Sequence, residues 1–362
     1  CAMNVFWVLL VAGALTLGQM LLFKRAGLRG VRVDRHFSRT RLFEGDRIEM
    51  IETIENRRIL PVPFLRIETR MPSELLFGKQ ENLEIGGQRY HRSVFYLGPW
   101  QRVRRVHQVR VIHRGYYTFH SYALTVGDLL GMNKTTVEKQ MDRYLVVYPQ
   151  LLSREEAALP SSRWQGEALV RRFIGPDLFL YNGIREYQPG DPIRDIHWRA
   201  YARTGQLQVK QHDFTASSRL LVLLNVVPNE NQWDGADERA QEQVEQGIRL
   251  AASLMCYALE DGLEVGFGTN GCAKPDLEES VYLAPASGPQ QSELALEVCA
   301  RLVVKRVLPF HVYLSRLPLP QDCDIVVITG YENELMHKEL DALRARGNSI
   351  TVLPLAREEA AS

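Results

Sequence analysis

RLLVLLNVV, from Arg219 to Val227, is the stretch on which the fold turns. It is apolar without alternation and rich in leucine and valine. A strand buried on both faces reads this way, because helices cover both sides of a parallel sheet. The residues downstream agree. ADERAQEQVEQGIRLAASLMCYALEDG (236–262) reads as a long amphipathic helix, and LEVGFGT and SVYLAP as strands. QSELALEVCARLVV then reads as a helix, DIVVIT as a strand, NELMHKELDALRARG as a helix and SITVLPL as a last strand. Strands alternating with helices predict a doubly wound α/β domain over 219–362.

Upstream the rhythm is different. VRVDRHFS, DRIEMIETIEN, PFLRIETRM, RSVFYLG, RVHQVRVIHRGYYTF and RYLVVYP are strand-like, and Pro61, Pro63, Pro72, Gly86–Gly87 and Gly98–Pro99 break them apart. Many short strands without helices predict a β-sandwich (Ig-like) domain over 29–150. The arginines of RVRRVHQVRVIHR are read as clothing the wet side of a strand. The alternative is contact with anionic headgroups.

NVFWVLLVAGALTLGQMLLF, Asn4 to Phe23, carries no formal charge. As a helix it would be about 30 Å long, the thickness of a hydrocarbon core. It lacks the basic start and small-residue cleavage site of a signal peptide, so residues 1–28 are expected to be a permanent anchor. Lys24, Arg25, Arg29, Arg32, Arg35, Arg39 and Arg41 follow, against Asp34 alone. By the positive-inside rule the remainder is expected to face the cytoplasm, with the chain crossing the membrane once. Ala14 and Gly18 beside Gln19 offer a small-residue face for a second helix, and an ordinary lipid-facing anchor explains them equally well.

Charge is nearly balanced, 44 Lys+Arg against 43 Asp+Glu, which argues against a nucleic-acid partner. The cysteines at 256, 272, 299 and 323 show no CxxC pair or zinc spacing, so they are expected to be reduced, buried thiols. Cys1 is read as a cloning remnant in preference to a lipidation site. GFGTNG (266–271) matches GxGxxG literally, but a strand rather than a helix follows, so it is read as a strand end and turn.

The polar centre of the chain is REYQPGDPIRDIHWRAYARTGQLQVK, Arg185 to Lys210, within a segment (151–218) joining the two domains. Pro189–Gly190 makes a turn, Asp191 is placed to cap a helix and Pro192 suits its first position. The helix is expected to run from Ile193 to Arg203 and to stop at Gly205. Asp195 and Arg199 stand in the favourable i, i+4 order, and Arg203 suits the helix C-terminus. His197 has no base-orienting or ligand partner in the pattern and is read as structural. The remaining guanidiniums suit carboxylates or phosphates alike, giving either an interdomain ionic network or a docking surface for an acidic partner. A faint echo of metal-dependent nucleases, with Asp191, Asp195 and Lys210 as the cluster, supplies the alternative of a hydrolase.

The pattern Arg185–Glu186–Tyr187, Pro189–Gly190–Asp191, Arg194, Ile196, Trp198, Ala202–Arg203, Gly205, Leu207, Val209 resembles the signature of the bacterial domain-of-unknown-function family 58. RGYYTF…VGDLLGM (114–132) is similar to the segment that precedes it there. The resemblance implies a membrane-anchored protein with a C-terminal von Willebrand factor A-like domain. It also implies a MoxR-type AAA+ ATPase as partner, often with a transglutaminase-like membrane protein, and a non-catalytic adaptor or scaffold role without a cofactor. The implied docking or interdomain residues are Arg185, Glu186, Tyr187, Gly190, Asp191, Arg194, Trp198, Arg199 and Arg203. One departure stands out. Where von Willebrand A domains can hold Mg²⁺ through Asp-x-Ser-x-Ser, this chain has Asn225, Val227 and Asn229, so a metal-free loop is expected.

Overall fold

A computed structural model describes residues 2–26, 29–77, 82–85, 88–127, 134–157, 183–186, 197, 198, 201, 203, 205–211, 219–230, 238–318, 321 and 323–355. The chain forms two compact units, Cys1–Gln150 and Leu151–Ser362.

The first unit opens with helix α1 (Ala2–Ala26). Ten strands follow: β1 (Val31–Phe37), β2 (Arg41–Phe43), β3 (Arg47–Asn56), β4 (Val62–Met71), β5 (Leu75–Phe77), β6 (Asn82–Ile85), β7 (Gln88–Leu97), β8 (Arg102–Val111), β9 (Gly115–Gly127) and β10 (Lys134–Tyr148). They make a four-stranded sheet, β1-β3-β8-β5, and a six-stranded sheet, β2-β10-β9-β4-β7-β6. Pairing is antiparallel except between β2 and β10. Two clusters of buried side chains lie between the sheets, one around Met50, Met71, Phe77, Val109 and Phe119, the other around Ile54, Ile67, Phe95 and Val126. The run RVHQVRVIHRGYYTF is two strands rather than one, because the chain turns over at Ile112–Arg114.

Among the described residues no helix is long and apolar enough to cross a membrane. The described side chains of α1 run unbroken only from Phe6 to Gly18, roughly 20 Å of helix. Consecutive residues there, Phe6 to Val11, are all largely exposed.

After a helical turn at residues 154–157, the second unit has a hairpin, β11 (Gly183–Glu186) and β12 (Gln208–Gln211). The α/β region then runs β13 (Arg219–Leu224), α2 (Glu238–Glu260), β14 (Glu264–Thr269), β15 (Gly271–Ala273), β16 (Val281–Ala286), α3 (Pro289–Arg301), β17 (Leu302–Arg306), α4 (Phe310–Arg316), β18 (Asp324–Thr329), α5 (Glu334–Arg344) and β19 (Ser349–Pro354). Its main sheet has the order β16-β14-β13-β18-β19, parallel except for the edge strand β16. The apolar run 220–224 is its central strand, and all five residues are fully buried. Leu221 and Leu223 pack with Phe310, Tyr313, Met336 and Leu340 of α4 and α5. Gly247 of α2 lies so close to Leu224, Ile328 and Leu355 that a Cβ there would fall 2.4 Å from Leu355. The sheet is therefore wound on both faces. The expected helix through Val304 ends instead at Arg301, and the β-branched LVVKR pairs as β17 with β15.

Candidate functional site

The signature hairpin aligns Arg185 with Val209, Glu186 with Gln208 and Ile184 with Lys210. Of the intervening helix, two i→i−4 bonds are described: Tyr201 N–H donates to His197 O (3.1 Å) and Gly205 N–H to Tyr201 O (2.9 Å). Gly205, at φ 67°, closes it in the left-handed conformation that glycine adopts without strain. His197 N–H donates to Gln208 O at 2.7 Å, tying the helix to the hairpin. Trp198 (58% exposed) and Tyr201 (42%) meet edge to face at 6.3 Å, with Leu207 exposed nearby in the chain. Arg203 is exposed as well. Tyr187, Gly190, Asp191, Arg194, Asp195 and Arg199 lie outside the described residues, as do the side chains of Arg185, Glu186 and Lys210.

The start of this unit is moored on α2. Leu152 N–H donates to Ser253 Oγ (2.9 Å), and Tyr257 Oη donates to Leu152 O. Arg154 stacks on the Tyr257 ring at 4.6 Å and pairs with Glu260 at 3.2 Å. Ser153 and Glu156 cap the next turn reciprocally, each backbone N–H donating to the other side chain.

The degenerate metal loop lies at the carboxyl edge of the sheet, where doubly wound domains form their ligand crevice. Here it is filled. Asn225 is fully buried; its Oδ1 accepts from Asn270 Nδ2 (3.1 Å) and Val227 N–H (3.1 Å), and its Nδ2 donates to Thr329 Oγ1 (3.1 Å). Asn270 Oδ1 accepts from Val226 N–H, and Thr329 Oγ1 donates to Tyr331 O. Val227 is buried and Asn229 exposed. Gly330 presses on Pro228, where a Cβ would sit 2.2 Å from the carbonyl oxygen. A neutral amide network thus binds the loop ends together where an anionic ligand would be needed to hold a hard cation. No cluster of three or more His, Cys, Asp or Glu suited to a metal occurs among the described residues.

Cys256, Cys272, Cys299 and Cys323 are free and buried. Burial pushes the Cys256 thiol up to about 11 and the Cys323 thiol to about 12, so neither is poised as a nucleophile.

The sandwich holds a polar layer that the strand-level reading missed. Arg35, Glu52, Thr69, Ser93 and His107 are all buried. Arg35 donates to Glu52 and Thr69, Ser93 Oγ donates to Glu52 Oε2 (2.8 Å), and His107 Nε2 lies 2.7 Å from the same oxygen. His91 meets His107 edge to face at 4.6 Å. Burial raises the Glu52 carboxyl, but the His107 bond, the Arg35 charge and the bonds from Arg35 and Ser93 outweigh it and hold the group at about 2. Glu52 is fully enclosed, so the layer cross-links the sheets instead of meeting a substrate. The signal was parity: Ile48, Met50, Glu52, Ile54 and Asn56 share one face of β3, as do Val31, Val33, Arg35 and Phe37 of β1.

Residues 183–276 match the family described as "Protein of unknown function DUF58". A Bacillus subtilis (strain 168) protein, "Uncharacterized protein YeaD", is 24% identical over 337 residues, covering 92% of this chain and 77% of its own. Among solved structures, a Salmonella alpha-2-macroglobulin is similar over 34% of this chain and 7% of its own, at 17% identity and a TM-score of 0.25. Spo0M, a sporulation control protein from Bacillus subtilis, is similar over 44% of this chain and 58% of its own, at 11% identity and a TM-score of 0.19. Likenesses that slight say nothing of function.

Proposed function

We propose that this chain is a membrane-anchored, non-catalytic adaptor that docks a MoxR-type AAA+ ATPase through the Arg185–Lys210 segment. The exposed Trp198–Tyr201 pair carries the reading. Large aromatics are the anchors around which protein interfaces concentrate their energy, and arginines join them there. The partner class is what the signature resemblance implies, and residues 183–276 match that family, whose description gives no function. The doubly wound sheet, with its first strand central, supports a von Willebrand factor A-like domain. The amide network at Asn225 supports a scaffold over a metal-dependent site. For the anchor, the support is the uncharged run Asn4–Phe23 and the all-round exposure of Phe6–Val11, which lipid would cover. The basic flank favours a cytoplasmic face for both units. A transglutaminase-like membrane protein is a further candidate partner.

The test places a photo-crosslinking amino acid at position 198 of the full chain in its own cells. A crosslink to an AAA+ ATPase supports the reading. A crosslink confined to unrelated proteins, or metal-dependent hydrolysis lost in Asp191→Asn with the fold kept, contradicts it.

A further inference from the structure

We propose that the tip of the β-sandwich built from residues 57–60 and 98–101 seats on an anionic bilayer surface, with Trp100 and Ile59 entering the interface. This rests on the anchor reading of α1 and adds a second, separate contact with lipid.

Chain continuity places the tip. Gly30 O accepts from Arg57 N–H at 2.8 Å, and Trp100 N–H donates to Arg58 O at 3.1 Å, so both loops gather beside Gly30. Helix α1 ends at Ala26, four residues earlier. Four residues reach at most about 14 Å, so a bilayer holding α1 lies within that distance of the tip.

The side chains suit such a neighbour. Ile59 is 76% exposed and Trp100 69%, the two most exposed large apolar residues described. Trp100 holds φ 54°, a left-handed conformation that is costly for a bulky residue. The loops that carry it are stapled together: fully buried Asn56 donates its Nδ2 to Leu60 O (2.9 Å) and Gly98 O (2.8 Å). A strained, stapled loop that holds a tryptophan out in water fits a surface prepared for a partner. Tryptophan is the residue that favours the headgroup level.

Charge selects the lipid. Strand register sets Arg32 and Arg102 on either side of Glu55, and Arg57 bonds the same carboxylate at 2.7 Å. Arg29 is exposed beside Gly30. Three guanidiniums thus stand around one carboxylate, Arg29 adds a fourth basic residue next to Gly30 in the chain, and each basic residue near an anionic membrane adds roughly 1 kcal/mol of attraction.

The test reconstitutes the full chain into phosphatidylcholine vesicles, with and without phosphatidylglycerol, using brominated or ordinary acyl chains. Tryptophan emission is compared among the wild type, Trp100→Gly and Trp7→Phe; glycine suits φ 54°, so the first variant keeps its fold. The emission lost in each variant is that residue's component. The Trp100 component is expected to fall about twofold with brominated chains in anionic vesicles and little in neutral ones, with Trp7 quenched in both. Arg102→Glu should move the Trp100 component toward its neutral-vesicle value. Trp7 quenched with Trp100 untouched overturns the seating and leaves the anchor. Neither quenched overturns both. Equal quenching of Trp100 in neutral vesicles overturns the selection for anionic lipid.

Discussion

Asn270 donates its side-chain amide to Oδ1 of Asn225 across 3.1 Å, joining the ends of β14 and β13 where the α/β sheet would otherwise open. The same Asn225 bonds Thr329 at the end of β18, so one neutral side chain closes the crevice between three strands.

Asn225→Asp exchanges the Nδ2 donor for an acceptor facing Thr329 Oγ1, whose proton is already committed to Tyr331 O. A loss of about 1–3 kcal/mol is expected, because a buried polar group loses its complement. Denaturation with and without Mg²⁺ checks this, and recovery of stability by Mg²⁺ would show a latent metal site.

Glu52→Gln leaves the Arg35 guanidinium buried opposite a neutral amide, a change expected to cost roughly 3–5 kcal/mol. The wild-type carboxyl is held at about 2, below the usual 4.5. Its contribution is therefore complete above pH 4.5 and lost as pH falls toward 2. Acid unfolding of the sandwich should steepen across that window in the wild type and flatten in Glu52→Gln.

Ser253→Ala removes the acceptor for Leu152 N–H. About 1–3 kcal/mol should be lost locally, read as faster proteolysis within 151–157. Cleavage at the wild-type rate would show that the mooring is dispensable.

Thiol alkylation at pH 8 should label Cys256 and Cys323 only after unfolding, since both are buried and raised far above that pH. Rapid labelling of either in the folded protein would refute the description of these thiols as inert.

The fold was legible wherever burial imposed a simple period. Residues 220–224, buried on both faces, announced a central parallel strand, and the 3.6-residue pattern of 238–260 announced its helix. The sandwich strands were legible from alternation, yet their polar layer was not. Arg35 and Glu52 are charged residues at core-facing parity, and only their partners on other strands explain them. Leu302–Val304 reads as the end of the preceding helix because a short apolar run has no period of its own, and pairing with Gly271–Ala273 makes Leu302–Arg306 a strand. In the signature, Gly205 marked the helix end correctly. The aromatic contact between Trp198 and Tyr201 follows from their i, i+3 spacing, but their exposure required the fold.

The most direct measurement is purification of the tagged full chain from a mild-detergent extract of its own cells, with and without ATP, beside Trp198→Ala. At 58% exposure that substitution should change stability by no more than about 0.5 kcal/mol. The adaptor account predicts an AAA+ ATPase retained with the wild type in a nucleotide-dependent way and lost from the variant. A protein that purifies alone under both conditions, or an ATPase retained equally by Trp198→Ala, would contradict it.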